Sequence, residues 1–318
     1  MIIWWIEAMR LRTLPVSLSG VVAGCGCAAF YGKFSIIPAI LCLLFALFAQ
    51  IASNFANEYF DFKNGLDKKG REGFRRGVTE GDISPGAMKA ATFVSLGIAC
   101  LFGLFMLFYG GWWLILIGIA VVVFALAYST GPYPLSHHGL GDVAVIVFFG
   151  IVPVTLTCFL QMGDWSGLSV SLPVSTAIGL LAANVLVVNN YRDMDDDKAV
   201  NKHTTVVIFG RKVMGYAYLS AGLIAMLILF PVWSMLSCEM SVGVVLVYLL
   251  PLIVFFGIVP VTLTCFLQMG DWSGLSVSLP VSTAIGLLAA NVLVVNNYRD
   301  MDDDKAVNKQ TTEVIFGR

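Results

Sequence analysis

Two stretches of the chain bring carboxylates and amides together, and each follows directly on a long apolar run. Residues 54–67 read N-F-A-N-E-Y-F-D-F-K-N-G-L-D, and residues 189–202 read N-N-Y-R-D-M-D-D-D-K-A-V-N-K. If the helix continues past Gln50, Asn54, Asn57, Glu58 and Asp61 fall three and four residues apart and share a face; Asn189, Asp193 and Asp197 follow the same spacing. Two carboxylate-rich helix ends on one side of a protein repel each other, by up to about 4 kcal/mol per close pair at an intermediate dielectric, so a cation is needed between them. Magnesium suits that position because it takes oxygen ligands, keeps part of its water and bridges carboxylates to a phosphate group. Solvated surface charge is the plainer reading of one such cluster. Two clusters, each led by an asparagine, point instead to a metal and phosphate site.

The elements that carry these stretches follow from composition. At 318 residues, with 58% hydrophobic and 12% charged residues and a mean hydropathy of +0.86, the chain is too apolar for a soluble domain, where about a quarter of residues are charged. It reads as an all-α polytopic membrane bundle. Apolar runs near the roughly 20 residues that cross a bilayer lie at about 14–31, 35–54, 88–109, 111–129, 142–162, 172–190, 213–234, 242–269 and 279–296, which predicts about nine transmembrane helices. A net charge of -1 gives no global field to attract nucleic acid. The seven cysteines show no paired metal-site spacing and read as small core residues. Through the seventh helix, fourteen Lys and Arg residues fall on the side of the N-terminus and only Lys33 on the other. That bias places the N-terminus and both acidic stretches in the cytoplasm.

Two loops face the same side. The first carries G-R-E-G-F-R-R-G-V-T-E-G, whose arginines serve either as an orientation signal that meets anionic lipid or, beside a metal site, as diphosphate ligands through Arg75 and Arg76. The second, S-T-G-P-Y-P-L-S-H-H-G-L-G-D, has an irregular backbone fixed by proline and glycine and is expected to cap the acidic site. Its His137 and His138 read either as ligands or a base, or as polar surface.

These motifs together resemble the UbiA superfamily of intramembrane aromatic prenyltransferases, and most closely its 1,4-dihydroxy-2-naphthoate polyprenyltransferase branch. The resemblance rests on R-T-L-P at Arg12 to Pro15, N-x-x-N-E-Y-F-D-F-K-N-G-x-D from Asn54, Arg75 and Arg76, the G-P-Y-P-L-S-H-H-G-L-G-D run and N-N-Y-R-D-M-D-D-D-K, covering about residues 8 to 250. Glu58 stands where the family usually has aspartate. The resemblance implies Mg2+ held by Asn57, Glu58, Asp61, Asn189, Asp193 and Asp197, with Asp61, Asp193 and Asp197 central to catalysis. It implies Arg12, Lys63, Arg75, Arg76 and Lys198 on the diphosphate of a polyprenyl donor, and 1,4-dihydroxy-2-naphthoate as the acceptor. The expected product is demethylmenaquinol, formed with loss of carbon dioxide in the cell (inner) membrane. A different aromatic acceptor is the alternative; a cation-coupled transporter is remote, because the acids cluster at helix ends and not at mid-span.

Residues 146–211 recur as residues 253–318, offset by 107 and identical at 64 of 66 positions, with only His203 to Gln310 and Val206 to Glu313 changed. Lipid-facing packing does not demand such identity, so the copy reads as a recent duplication or an artefact. The domain reading is therefore residues 1–252 as the transmembrane enzyme and 253–318 as a near-exact copy that completes the helix count.

Overall fold

The structure, a computed structural model, describes residues 2–67, 69 and 75–234. Among the described residues every regular element is a helix, and one isolated backbone bridge joins His138 to His203. Seven of the nine apolar runs lie within them, and each forms a helix. The runs at 242–269 and 279–296, and the whole copy at 253–318, lie outside the described residues.

The first span is broken. Helix α1 (Ile2–Met9) meets α2 (Leu14–Phe30) at 51° across a 3-10 turn at Leu11–Thr13. Arg10 sets the bend with a left-handed backbone, φ 51°, which its carbonyl stabilises by accepting both the Thr13 amide (2.8 Å) and the Thr13 hydroxyl (2.9 Å). Pro15, in the first turn of α2, removes an amide that has no helical partner there. Helix α3 (Ile36–Lys63) continues well past the predicted end at residue 54, so the first acidic stretch is helical. A short α4 (Gly77–Glu80) precedes α5 (Pro85–Gly110), whose start is set by Ser84 accepting the Ala87 amide.

Helix α6 (Leu114–Ala127) is shorter than a bilayer crossing. The next span comprises α7 (Gly141–Val145), a π-helical segment (Ile146–Ile151) and α8 (Val152–Met162). Helix α9 (Leu168–Arg192) leads through Asp193 into α10 (Met194–Ala199), and α11 (Thr205–Ser234) is kinked at Gly210. Among the described residues five helices are long and apolar enough to cross a membrane, or six if the broken α1–α2 pair counts as one.

The core lies where α2, the π segment, α8 and α9 meet. Val154, Val174, Ala177 and Ile178 are buried there. Gly150 and Gly179 let two backbones touch: a Cβ on Gly150 would sit 2.4 Å from the Gly179 Cα, and one on Gly179 would sit 2.7 Å from the Ile146 carbonyl oxygen. Small residues of this kind are what close helix crossings in a membrane require. Apolar residues on α5 and α6, among them Leu101, Phe108 and Leu116, point outward, as a lipid-facing surface does.

Candidate active site

A polar cavity of about 200 Å³ lies where the two acidic stretches converge. Its wall includes Asn57 and Asp61 from α3, Asn189 and Asp193 from α9 and its end, Arg10 from the α1–α2 break, and Arg76 just before α4. An apolar cavity of about 530 Å³, lined by α2, α3, α5, α6 and the α7–α8 span, adjoins it. Gln50, Ser53, Tyr128, Val145 and Phe149 line both, so they form a throat between a charged chamber and a hydrocarbon-like one. The helix carrying Val145 and Phe149 passes through the π segment at this throat, a local widening of the kind often found at functional sites.

The side chains around the polar chamber are paired in a defined way. Arg10 donates from Nη2 to the Asn57 Oδ1 at 2.7 Å, and Arg76 donates from Nη1 to the same oxygen at 3.2 Å. Two guanidinium groups meeting on one neutral oxygen make a strongly positive corner. Arg76 also lies 3.7 Å from Asp61 and 3.4 Å from Asp67. Across the chamber, Arg192 grips both carboxylate oxygens of Asp193, at 2.5 and 2.8 Å, and Lys202 lies 3.4 Å from Asp197. Such a chamber, with cations on both sides, matches an anion of several charges.

Several sequence expectations need correction. Glu58 does not face the chamber: it is 1% exposed, and its Oε1 accepts the Val78 amide at 3.0 Å, which fixes the start of α4 against α3. Asn57 lines the chamber, but both lone pairs of its oxygen are engaged by arginines, so it organises cations and is not an open metal ligand. Asn54 points to the α1–α2 break, donating to the Met9 carbonyl at 2.8 Å and the Thr13 hydroxyl at 3.2 Å. Arg75 faces away from its neighbour Arg76; it bonds Asp82 at 2.8 and 2.9 Å and lies 4.6 Å over the Trp4 ring. Lys63 and Lys198 are exposed and outside the chamber wall. The Arg12 side chain lies outside the described residues. Asp197 is buried behind the wall, 3.4 Å from Lys202, while Asp61, Asn189 and Asp193 line the chamber.

The chamber also holds residues that the sequence reading passed over. Arg10 had counted only toward orientation, although its place three residues before Thr13 is what the bend requires. Lys202 takes the place expected of Lys198. On the far side, two loops dock: the His203 amide donates to the His137 carbonyl at 3.0 Å, and Ser136 donates through its amide and its hydroxyl to the Tyr128 carbonyl. His138 stacks on Tyr133 and its Nδ1 bonds the Pro134 carbonyl at 2.8 Å, so it holds the loop. Burial, with help from Lys202 and His138, lowers the pKa of His137 to about 4, so its ring is neutral near pH 7. Neither histidine lines the chamber.

The donor set at the two helix ends is oxygen only, which fits a hard divalent cation. The Asn189 Oδ1 is buried and accepts no hydrogen bond, an oxygen available to such an ion. Among the described residues no three His, Cys, Asp or Glu side chains converge as a metal-holding group.

Comparison with known proteins gives a consistent answer. The profile of the UbiA prenyltransferase family matches residues 17–258. A 1,4-dihydroxy-2-naphthoate octaprenyltransferase of Escherichia coli is 34% identical over 259 residues, covering 79% of this chain and 82% of that protein. One from Mycobacterium leprae is 38% identical over 208 residues, covering 65% of this chain and 69% of the relative. Among solved structures, a UbiA homolog from Archaeoglobus fulgidus bound to GPP and Mg2+ superposes with a TM-score of 0.61 at 15% identity, covering 92% of this chain and 99% of that one.

Proposed function

The chain belongs to the UbiA prenyltransferase family, and from that premise we propose that it transfers a polyprenyl group from polyprenyl diphosphate to 1,4-dihydroxy-2-naphthoate, with loss of carbon dioxide. The product is demethylmenaquinol, in menaquinone biosynthesis. The observation that carries this reading is the throat: a basic chamber with oxygen ligands opens directly onto a long apolar cavity, the two halves of a prenyl diphosphate.

Mg2+ fits the oxygen donors of Asp61, Asn189 and Asp193, with Asp197 behind them, and when bound it neutralises charge on the leaving diphosphate. Arg10, Arg76 and Lys202 supply further positive charge to that diphosphate, favouring ionisation of the allylic carbon–oxygen bond. The isoprenoid tail lies between α3, α5, α6 and α8, where Leu104, Leu107, Phe148 and Leu156 exclude water from the allylic cation. Fourteen of the fifteen Lys and Arg residues through the seventh span fall on the side of the acidic stretches, which supports a chamber open to the cytoplasm from the inner membrane.

The test is a membrane assay with 1,4-dihydroxy-2-naphthoate and a polyprenyl diphosphate, with and without magnesium. Magnesium-dependent release of carbon dioxide together with a prenylated naphthoquinol supports the reading. Turnover that survives chelation, or no turnover with this acceptor beside turnover with another aromatic acid, refutes it.

A further inference from the structure

One carboxylate in the chamber has no part in the scheme above. Asp142 lies in the first turn of α7 in the chamber wall, and the Thr205 hydroxyl donates to its Oδ2 at 2.5 Å. Its Oδ1 is buried and has no hydrogen-bond partner among the described residues. Leaving a carboxylate oxygen unpaired away from water is costly, so one kept in a cavity wall points to a ligand that completes it. Position sharpens this. Asp142, Val145 and Phe149 follow at helical spacing, and Val145 and Phe149 belong to the throat where a diphosphate in the polar chamber and a tail in the apolar one must place the bond between them. A planar acceptor that presents a carbon to that bond lies within one helical turn of Asp142.

Resting on the reading above, we propose that Asp142 Oδ1 accepts a hydrogen bond from the acceptor's phenolic hydroxyl beside its carboxylate, and takes that proton during the reaction. The hydroxyl's electron pair enters the ring as the carbon bearing the carboxylate bonds to the allylic carbon; the donor's carbon–oxygen bond breaks and diphosphate leaves. The ring is then a ketone next to a carboxylate. Carbon dioxide departs, its bonding pair restores the aromatic ring, and the oxygen recovers the proton from Asp142. Thr205 is a positioning residue, since it holds Oδ2 and thereby fixes the carboxylate in the chamber wall.

The experiment uses the full chain in membranes, comparing wild type with Asp142→Asn and Thr205→Val. Acceptor and donor KM, kcat and competitive inhibition by 1-hydroxy-2-naphthoate and 4-hydroxy-2-naphthoate are measured. In the wild type, the 1-hydroxy compound inhibits about tenfold better than the 4-hydroxy compound, the increment of one hydrogen bond to a charged group. Asp142→Asn erases that preference and lowers kcat about a hundredfold or more, as loss of a proton acceptor does, while donor KM stays unchanged. Thr205→Val raises acceptor KM and lowers kcat less. The proposal is overturned if Asp142→Asn keeps both the analogue preference and kcat, or if donor and acceptor KM rise together with the preference intact. A wild type without magnesium-dependent transfer refutes the underlying reading and this proposal with it; wild-type transfer with an unaffected Asp142→Asn refutes the proposal alone.

Discussion

Arg75 and Arg76 are neighbours of the same type, and the structure assigns them opposite roles that a lysine exchange separates. The backbone at Arg76 is extended, φ -98° and ψ 91°, so consecutive side chains point to opposite sides. Arg76 is 12% exposed and reaches Asn57, Asp61 and Asp67 with different nitrogens of one planar group. Lysine carries the same charge as a point on a flexible stem and can satisfy one or two of these sites at once. Losing one charge-assisted hydrogen bond in a mostly buried position costs about 1.5–3 kcal/mol, or roughly 10- to 150-fold at 1.4 kcal/mol per decade. Arg76→Lys is therefore expected to lower kcat/KM for the prenyl diphosphate by that factor, read in a donor titration at saturating acceptor. Arg75 is 43% exposed and holds Asp82 and Trp4, so Arg75→Lys should leave the donor titration unchanged. The reverse pattern, with donor use lost in Arg75→Lys and kept in Arg76→Lys, would refute the placement of the chamber.

Asp61→Asn and Asp193→Asn should each abolish prenyl transfer with membrane insertion intact, whereas Glu58→Gln should keep its magnesium dependence; a magnesium titration of the three variants checks this. His137 is neutral in the fold because its pKa is lowered to about 4, so as pH falls from about 6.5 toward 4 the unfolded chain takes up a proton first and stability drops. Thermal unfolding in detergent should show that loss, and His137→Asn should flatten it; an equal pH slope in the variant counts against the docked loop. Val206 is fully buried against Val187, Met194 and Met214, so Val206→Glu should destabilise the α9–α11 packing by about 3–5 kcal/mol, seen as lost expression and activity, while ending the chain after about Asn296 should leave activity largely intact.

The helices and the two acidic stretches were legible because their signals are local: apolar runs of bilayer length, then acids and amides at helical spacing. What a local pattern leaves open is which way each side chain turns at a helix end. Glu58 sits one residue from Asn57 and three from Asp61, close enough in angle to be counted on their face, yet the amide of Val78 captures it. That amide lies twenty residues away and is brought there by a loop whose path no periodicity records. Arg10 shows the same limit from the other side. Its charge is visible in the sequence, but only the left-handed bend at the α1–α2 break carries it to Asn57. Asp142, in the first turn of α7, and Lys202, just after α10, are likewise brought to the chamber wall beside the docked His137 and His203 loops, a tertiary contact with no sequence period.

The copied segment shows where local identity stops being informative. Asn296 to Asp304 repeats the acidic motif of Asn189 to Asp197, and read alone it would be a second site of equal standing. The structure of the first copy shows what that motif depends on. Asp193 and Asn189 face Asn57 and Asp61, and the chain contains the stretch that supplies those two residues only once. The segment after the motif is anchored by Val206, fully buried, and the copy has Glu313 at the matching position. A carboxylate cannot take that place in the same packing without leaving a buried charge unpaired. One of only two differences between the copies therefore falls where the first copy needs an apolar side chain to seat α10 and α11 beside the chamber, so Asp300→Asn and Asp304→Asn in the copy are expected to leave prenyl transfer intact where Asp193→Asn abolishes it.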